Sequence, residues 1–475
     1  MSEQIPVKQI TPANPKKPDD GHKAERFNPG KRIYVRAVKG LYQRLRRNMG
    51  WLMMLAFLGL PWVPYEGRQG ILLDLANQKF YLFGVTLWPQ DLTLLAYLLM
   101  FSAFALFFVT TFLGRVWCGY MCPQTVWTFL FIWFEEKFEG NANQRKKLDS
   151  APMSVNKLWR KAAKHGGWLL VSLVTALTFV GYFVPIHGLV LDFFTGQAGF
   201  WLTFWVLFFA FCTYGNAGWM REIMCTHMCP YARFQSAMFD KDTFIVGYDA
   251  SRGEQRGPRS RKQDPKTLGL GDCIDCKLCV QVCPTGIDIR DGLQYECINC
   301  GACIDACDEV MVKMGYQPKL ISYTTEHQLA GGKTHVLRPK LLGYGLVMII
   351  MTGLLLVSFA NRTLAQLDVV RDRSALYRES AEGLIVNEYT LKVLNKDVKA
   401  HEFVVTVKGI DPTALHWSGN HKIMVASGEV ATLPVSLSVD PYDLKGTITD
   451  IEFSAKAADN ADINAEHGSR FFGPQ

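Results

Sequence analysis

The first 117 residues of this 475-residue chain hold no cysteine, and none follows Cys307. A secreted disulfide framework would spread cysteines through a small domain, so the 13 present argue for another use. Charge is scarce too: 20% of residues are charged, against 49% hydrophobic and 12% aromatic. That balance is too apolar for an ordinary soluble protein and too charged for a bare channel. It suggests a membrane part with soluble domains attached. No apolar run precedes Met49, whereas a signal peptide places its apolar core near the start; the N-terminus is expected in the cytoplasm. No nucleotide or flavin fingerprint appears, so the residues do not identify an electron donor.

What is present falls into blocks. Residues 1 to about 30 are rich in Pro, Lys, Asn and Asp and are expected to be disordered. Residues 31–47 carry Lys31, Arg32, Arg36, Lys39, Arg44, Arg46 and Arg47, a density suited to an anionic lipid surface. Apolar stretches follow at 46–65, 91–113, 167–186, 200–219 and 339–360, each near the ~20 residues that cross a bilayer as a helix. Pro61 and Pro64 break the end of the first. The run 126–134 is too short to cross and is expected at the interface or re-entrant.

Loop charge predicts the orientation. Residues 66–90 hold only Arg68 and Lys79 as basic groups, and 187–199 hold none. In contrast, 137–164 carries Lys137, Arg145, Lys146, Lys147, Lys157, Arg160, Lys161 and Lys164, and 221–266 is also basic. Five spans with this alternation place the N-terminus inside and the C-terminus outside. The same rule accounts for the net charge of +8 without nucleic acid. Beyond about residue 375, period-two alternation at 389–394, 401–408, 428–439 and 449–455, split by turn residues, predicts a β-sandwich, periplasmic and free of cysteine.

The strongest signal is Cys273-x2-Cys276-x2-Cys279-x3-Cys283-Pro284, repeated as Cys297-x2-Cys300-x2-Cys303-x3-Cys307. Three thiolates on a tight turn can face one cubane, while the fourth reaches the other cluster. Cys273, Cys276, Cys279 and Cys307 are thus expected to hold one [4Fe-4S] cluster. Cys297, Cys300, Cys303 and Cys283 are expected to hold a second. A zinc ribbon would use two pairs of ligands rather than duplicated triplets. Asp308 stands where a proline usually follows the last cysteine, which predicts altered loop geometry with both clusters retained. Such clusters relay single electrons and do no group-transfer chemistry.

A quieter pair of motifs follows the second and fourth apolar stretches: Cys118-Gly-Tyr-Met121-Cys122-Pro123 and Cys225-Thr-His-Met228-Cys229-Pro230, with Arg115 and Arg221 upstream. They read as an internal duplication. Spacing i, i+4 predicts both sulfurs of a motif on one helix face, with the proline ending or kinking the helix at the second cysteine. Four thiols and two thioethers at one depth, on the ferredoxin side, make a soft site that favours Cu(I) over Cu(II). Redox-active dithiols, a third cluster or packing cysteines are the competing readings. Met121 and Met228 alone would more often be core filler. Cys212 reads as a buried bystander, and His187, His401, His416 and His421 lack ligand spacing.

With these motifs in this order, residues 30–475 resemble the cytochrome oxidase accessory family called CcoG, FixG or RdxA. The resemblance implies an α-helical transmembrane bundle of about five spans with an inserted bacterial-type 2[4Fe-4S] ferredoxin domain and a C-terminal immunoglobulin-like β-sandwich. The corresponding boundaries are a tail at 1–45, a four-span membrane domain at 46–240, a cytoplasmic ferredoxin-like domain at 241–325, the last span at 339–360 and the periplasmic domain at 375–475. The resemblance also implies a cupric reductase that reduces Cu(II) to Cu(I) for the copper centre of a cbb-type oxidase of the bacterial inner membrane. Cys118, Cys122, Cys225 and Cys229 would do this work. The partners implied are membrane lipid, copper ions, the oxidase assembly machinery and an unidentified electron donor; a homodimer is left open. An electron-transfer subunit of a quinol-linked chain and a non-catalytic assembly scaffold are the rival classes.

Overall fold

The computed structural model describes residues 33–474 apart from Val398, Lys445 and Ala461; the tail expected to be disordered, with Lys31 and Arg32, lies outside the described residues. The chain forms two units, one of residues up to Trp62 with Leu99–Thr352, the other of Val63–Leu98 with Gly353–Gln475.

The helices run α1 (Leu41–Gly59), α2 (Leu92–Leu113), α3 (Val116–Tyr120), α4 (Pro123–Glu139), α5 (Ala142–Ser150), α6 (Val155–Val180), α7 (Ile186–Thr195), α8 (Phe200–Tyr214), the single turn α9 (Arg221–Ile223) and α10 (Pro230–Met238). After them come α11 (Ala250–Gly253), α12 (Leu278–Gln281), α13 (Ala302–Met314), α14 (Glu326–Leu329) and α15 (Pro339–Ala360). Four helices are long and apolar enough to cross a membrane: α2, α6, the run Phe200–Met228 that α8 opens, and α15. Exposed apolar side chains such as Leu99, Phe211, Ile349 and Leu356 mark these as lipid-facing surfaces, since a soluble helix would bury them.

The first expected span, 46–65, differs. α1 starts at Leu41, so Arg44, Arg46 and Arg47 fall inside it, and it gives way at Leu60 to a short 3-10 turn containing Pro61. Its basic first half keeps it out of the set of long apolar helices. The run 126–134 lies in α4 and packs inward: Phe131 is fully buried and stacks on Trp168 of α6 at 5.1 Å between ring centroids.

Between α10 and α15 lies the cysteine-rich module. Strand Ile245–Tyr248 pairs antiparallel with Ile321–Thr324 and closes over a core of Val246, Ile289, Ile304, Met311, Leu320 and Ile321. α13 runs unbroken through Cys307 and Asp308 to Met314. A proline at 308 would have removed a helical N–H; the aspartate lets the helix continue and accepts from Lys319 N at 2.7 Å.

In the second unit, two antiparallel sheets face one another. One orders Leu415–Ser418, Val430–Val439, Ile385–Asn395 and Ala365–Arg371; the other orders Lys422–Val425, His401–Lys408, Ile448–Ala457 and Asn464–Phe472. Inward residues alternate as a sandwich requires, and Leu391, Phe403, Val405, Leu437, Phe453 and Phe471 are fully buried. His401 is buried between Asp397 and Asp459, which lie 2.7 and 2.8 Å from its ring nitrogens, and His421 stacks on Trp417; these are structural roles. The segment 66–90, read above as a plain outer loop, forms a three-stranded sheet, Ile71–Asp74, Lys79–Leu82 and Val85–Leu87. Just after it, the buried Asp91 pairs with Lys396 at 2.9 Å and Arg362 at 3.3 Å.

Candidate metal and electron-transfer site

The two cysteine repeats fold alike down to their backbone. Asp275 and Lys277 have positive φ (52° and 56°), as do Asn299 and Gly301 (51° and 72°), at the same offsets from Cys273 and Cys297. Such left-handed turns present N–H groups in a concave nest suited to an anionic cluster. The side chains then gather in fours. Cys307 comes within electrostatic reach of Cys279, Cys273 and Cys276. Cys303 reaches Cys300, Cys297 and Cys283, and also Cys279, so the groups adjoin. Burial pushes the thiols of Cys279, Cys297 and Cys307 up to about 12, so they stay protonated until a cation claims them.

The donor chemistry fits [4Fe-4S] clusters. Two sets of four convergent thiols are present, and no three of the described cysteine sulfurs lie within 4.8 Å of one another. One tetrahedral ion would need sulfurs ~3.8 Å apart, whereas a cubane spreads its ligands over separate iron atoms. The groups differ in exposure: Cys276 of the first is exposed, while Cys297 and Cys300 of the second are buried.

The second group faces the first membrane motif. Gly119 sits so close to the cysteine loop that a Cβ there would lie 2.7 Å from the carbonyl oxygen of Ile298 and 2.9 Å from Cα of Cys300. Only glycine permits this approach. Cys118 packs beside Val282, Ile298, Cys300 and Ala302. Arg115 fastens the junction by donating to the carbonyls of Tyr295 and Cys297 and, at 3.0 Å, to that of Ala232 in α10. Tyr120 and Tyr323 join hydroxyls at 3.0 Å, and Tyr323 donates onward to the carbonyl of Asn299.

The second membrane motif comes to the same place: Cys225 lies within electrostatic reach of Cys122, Cys118 and Cys229. Gln235, fully buried on α10, donates through Nε2 to Cys118 Sγ at 3.4 Å. Burial raises the Cys118 thiol to about 11. It also raises Cys122, against the pull of the N–H groups at the start of α4. Met121 is half-buried and Met228 is 55% exposed.

One expectation is corrected. The sulfurs of a motif do not share one helix face. Cys118 lies in α3, whereas Cys122 has extended ψ of 127° and caps α4. Cys225 lies in a π-turn, Met224–Met228, and Cys229, with ψ of 113°, caps α10. The residue before a proline is driven out of the α region, so each motif straddles a helix break instead of one surface. The two upstream arginines also diverge. Arg115 holds backbone carbonyls, whereas Arg221 reaches the fully buried Glu135 at 2.7 Å, which Arg145 meets at 2.6 Å. Gln235, Tyr120, Tyr323 and Glu135 were not singled out by sequence; their roles depend on contacts far along the chain.

Comparison with known proteins matches this layout. The family described as a 4Fe-4S dicluster domain matches residues 220–326, and one described as a 4Fe-4S binding domain matches 95–139. The IG-like fold at the C-terminus of FixG matches 355–474. The nitrogen fixation protein FixG of Rhizobium meliloti is 35% identical over 83% of this chain and 82% of its own length. Protein RdxA of Cereibacter sphaeroides is 35% identical over 81% of this chain and 83% of its own. Protein RdxB of the same organism is 36% identical over 83% and 85%.

This chain belongs to the FixG/RdxA family. It is an iron–sulfur electron-transfer protein of oxidoreductase type with apolar helices suited to a membrane. In this FixG/RdxA protein, the family match at 95–139 contains just two cysteines, Cys118 and Cys122.

Proposed function

We propose that the chain is a cupric reductase, taking electrons through its ferredoxin module and delivering them at the four membrane-motif thiols to Cu(II), for assembly of the copper centre of a cbb-type oxidase. The observation that carries this is the seating of Gly119 and Cys118 directly on the Ile298–Cys300 loop. Bound in their two cysteine groups, the clusters supply single electrons. The thiols of Cys118, Cys122, Cys225 and Cys229 are the donors that meet the substrate ion, fewer than three of them at once in this arrangement, and, being soft ligands, they favour Cu(I). Each Cu(II) gains one electron and becomes Cu(I). The pair Arg115 and Gln235 holds Cys118 in place. The thioethers of Met121 and Met228 are further candidate ligands, Met228 from the exposed side. The partners are the oxidase assembly machinery and a donor that meets the exposed Cys276.

Topology supports the direction. Arg115 ties the segment after α2 to the cysteine module, and Asp91 ties the segment before α2 to the C-terminal sandwich. Gln43 N donates to Asp305 of the module, so α1 starts on the module side. With α1, α2, α6, the Phe200–Met228 run and α15 as five crossings, the parity agrees with both ties and with an N-terminus inside. The basic loops 137–164 and 221–266 then mark the motif side as cytoplasmic and the sandwich as periplasmic in a bacterial inner membrane.

A second reading is favoured by the iron–sulfur match over 95–139: the four membrane-motif thiols hold a third cluster. Iron counting separates the two. The cupric reductase predicts about eight iron atoms per chain, unchanged when Cys118, Cys122, Cys225 and Cys229 are replaced by Ala, with Cu(II) reduction lost. A third cluster predicts about twelve, falling to about eight in that variant.

A further inference from the structure

The segment that leaves α10 and the segment that enters α15 meet at one carboxylate. Asp242 Oδ1 lies 2.7 Å from Nδ1 of His327, 3.0 Å from the backbone nitrogen of His335 and 3.7 Å from Nδ1 of His335. The two imidazole rings stand edge to face with centroids 5.6 Å apart. One potential ligand atom from each residue lies within 4.8 Å of the others, and among the described residues no other trio of His, Cys, Asp or Glu does so. The carboxylate is largely covered, at 13% exposure, while the His327 and His335 side chains are 37% and 70% exposed. The trio is therefore anchored below and open to water above.

The anchor is bonded to elements that lead in sequence to the thiols. Thr243 Oγ1 donates to the carbonyl of Thr111 at 2.9 Å, and Phe244 N donates to that of Phe112 at 3.0 Å. Asp240 is occupied by Arg338 at 3.0 Å, and Arg338 also donates to Thr111 O at 2.6 Å. Thr111 and Phe112 belong to the last turn of α2, from which the chain proceeds to Gly114, Arg115 and Cys118. The other neighbour, α10, is capped by Cys229.

Two imidazole nitrogens and one carboxylate oxygen form a borderline-hard donor set. Such N,O sites suit Cu(II), which heads the divalent affinity order, whereas sulfur sites suit Cu(I). We propose that Asp242, His327 and His335 bind Cu(II), forming an entry site that holds the oxidised ion before the four-thiol site takes and reduces it. This rests on the cupric reductase reading, but the site can be tested without it. Binding moves the proton shared by His327 Nδ1 and Asp242 to His327 Nε2 or to water, replaces their hydrogen bond with two metal–ligand bonds, and leaves water to complete the coordination on the exposed side.

The test uses the full-length, cluster-loaded, oxidised protein with no polyhistidine tag, in the background where Cys118, Cys122, Cys225 and Cys229 are Ala. Reduction is thereby removed and only binding is read. Anaerobic titration with Cu(II) should give one tetragonal paramagnetic signal per chain, with nitrogen splitting from two imidazoles. His335→Ala, an exposed position that leaves the fold intact, should remove one nitrogen coupling. That variant and Asp242→Asn should weaken binding by more than about tenfold, the scale at which even outer partners of metal ligands act. A signal unchanged in His335→Ala and His327→Ala would overturn the proposal, as would Zn(II) at equal concentration excluding the copper. Absence of any nitrogen-coupled Cu(II) would show instead a carboxylate paired with protonated histidine.

Discussion

Replacing Cys300 by Ala should sharply lower Cu(II) reduction while leaving the four membrane-motif cysteines and the first iron–sulfur group in place. Cys300 is buried, belongs to the second group, and its Cα lies where Gly119 presses against the loop. Its loss should lower iron from about eight to about four atoms per chain. The remaining group, with Cys276 exposed, should still accept electrons from a chemical reductant. Copper reduction should nevertheless fall by at least about a hundredfold, because an ion at Cys118 adjoins the second group (a loss equivalent to about 2.7 kcal/mol in the barrier). Low-temperature paramagnetic resonance and a Cu(I)-specific chelator report the two quantities. Retained copper reduction would mean that electrons leave from the first group.

The second large effect is on stability. Glu135 is fully buried, bound by Arg145 at 2.6 Å and Arg221 at 2.7 Å, with those side chains 1% and 9% exposed. Removing one partner of a buried ion pair leaves uncompensated charge and costs about 3–5 kcal/mol. Glu135→Ala strands two guanidinium groups, so thermal unfolding in detergent or lipid should shift sharply downward. Arg221 has φ of 32° and precedes the turn that carries Cys225. Loss of its anchor should therefore also displace the second motif and slow copper reduction. Met at Glu135, Arg145 and Arg221 together should restore part of the stability, since apolar replacement of a whole buried charge group is often neutral. An unchanged unfolding temperature in Glu135→Ala would show that these charges are solvated.

How much of this could be read from the chain depended on range. The cysteine repeats were legible because cluster ligation demands fixed local spacing. The resulting groups of four need only a turn and its return. Four long apolar helices were legible as uninterrupted apolar length; α1 was read as the stretch 46–65, but its start at Leu41 was hidden because basic residues occupy its first turns while apolar ones fill its last. The sandwich showed itself through strands such as Val430–Val439, long enough to display alternation. Strands of three or four residues between Ile71 and Leu87 were too short to do so. Counting four residues from Cys118 to Cys122 suggested one helix face, but the following proline overrode helical geometry. Asp242 and His327 stand 85 positions apart, and no local pattern could join them.

The central claim is that electrons leave the ferredoxin module through the four membrane-motif thiols. The most direct measurement pre-reduces the cluster-loaded protein, mixes it anaerobically with one equivalent of Cu(II), and follows cluster reoxidation in a single turnover. It compares the wild type with the variant carrying Ala at Cys118, Cys122, Cys225 and Cys229. The account predicts rapid reoxidation with one Cu(I) formed per electron in the wild type, and clusters that stay reduced in the variant. Equal reoxidation in both would contradict it.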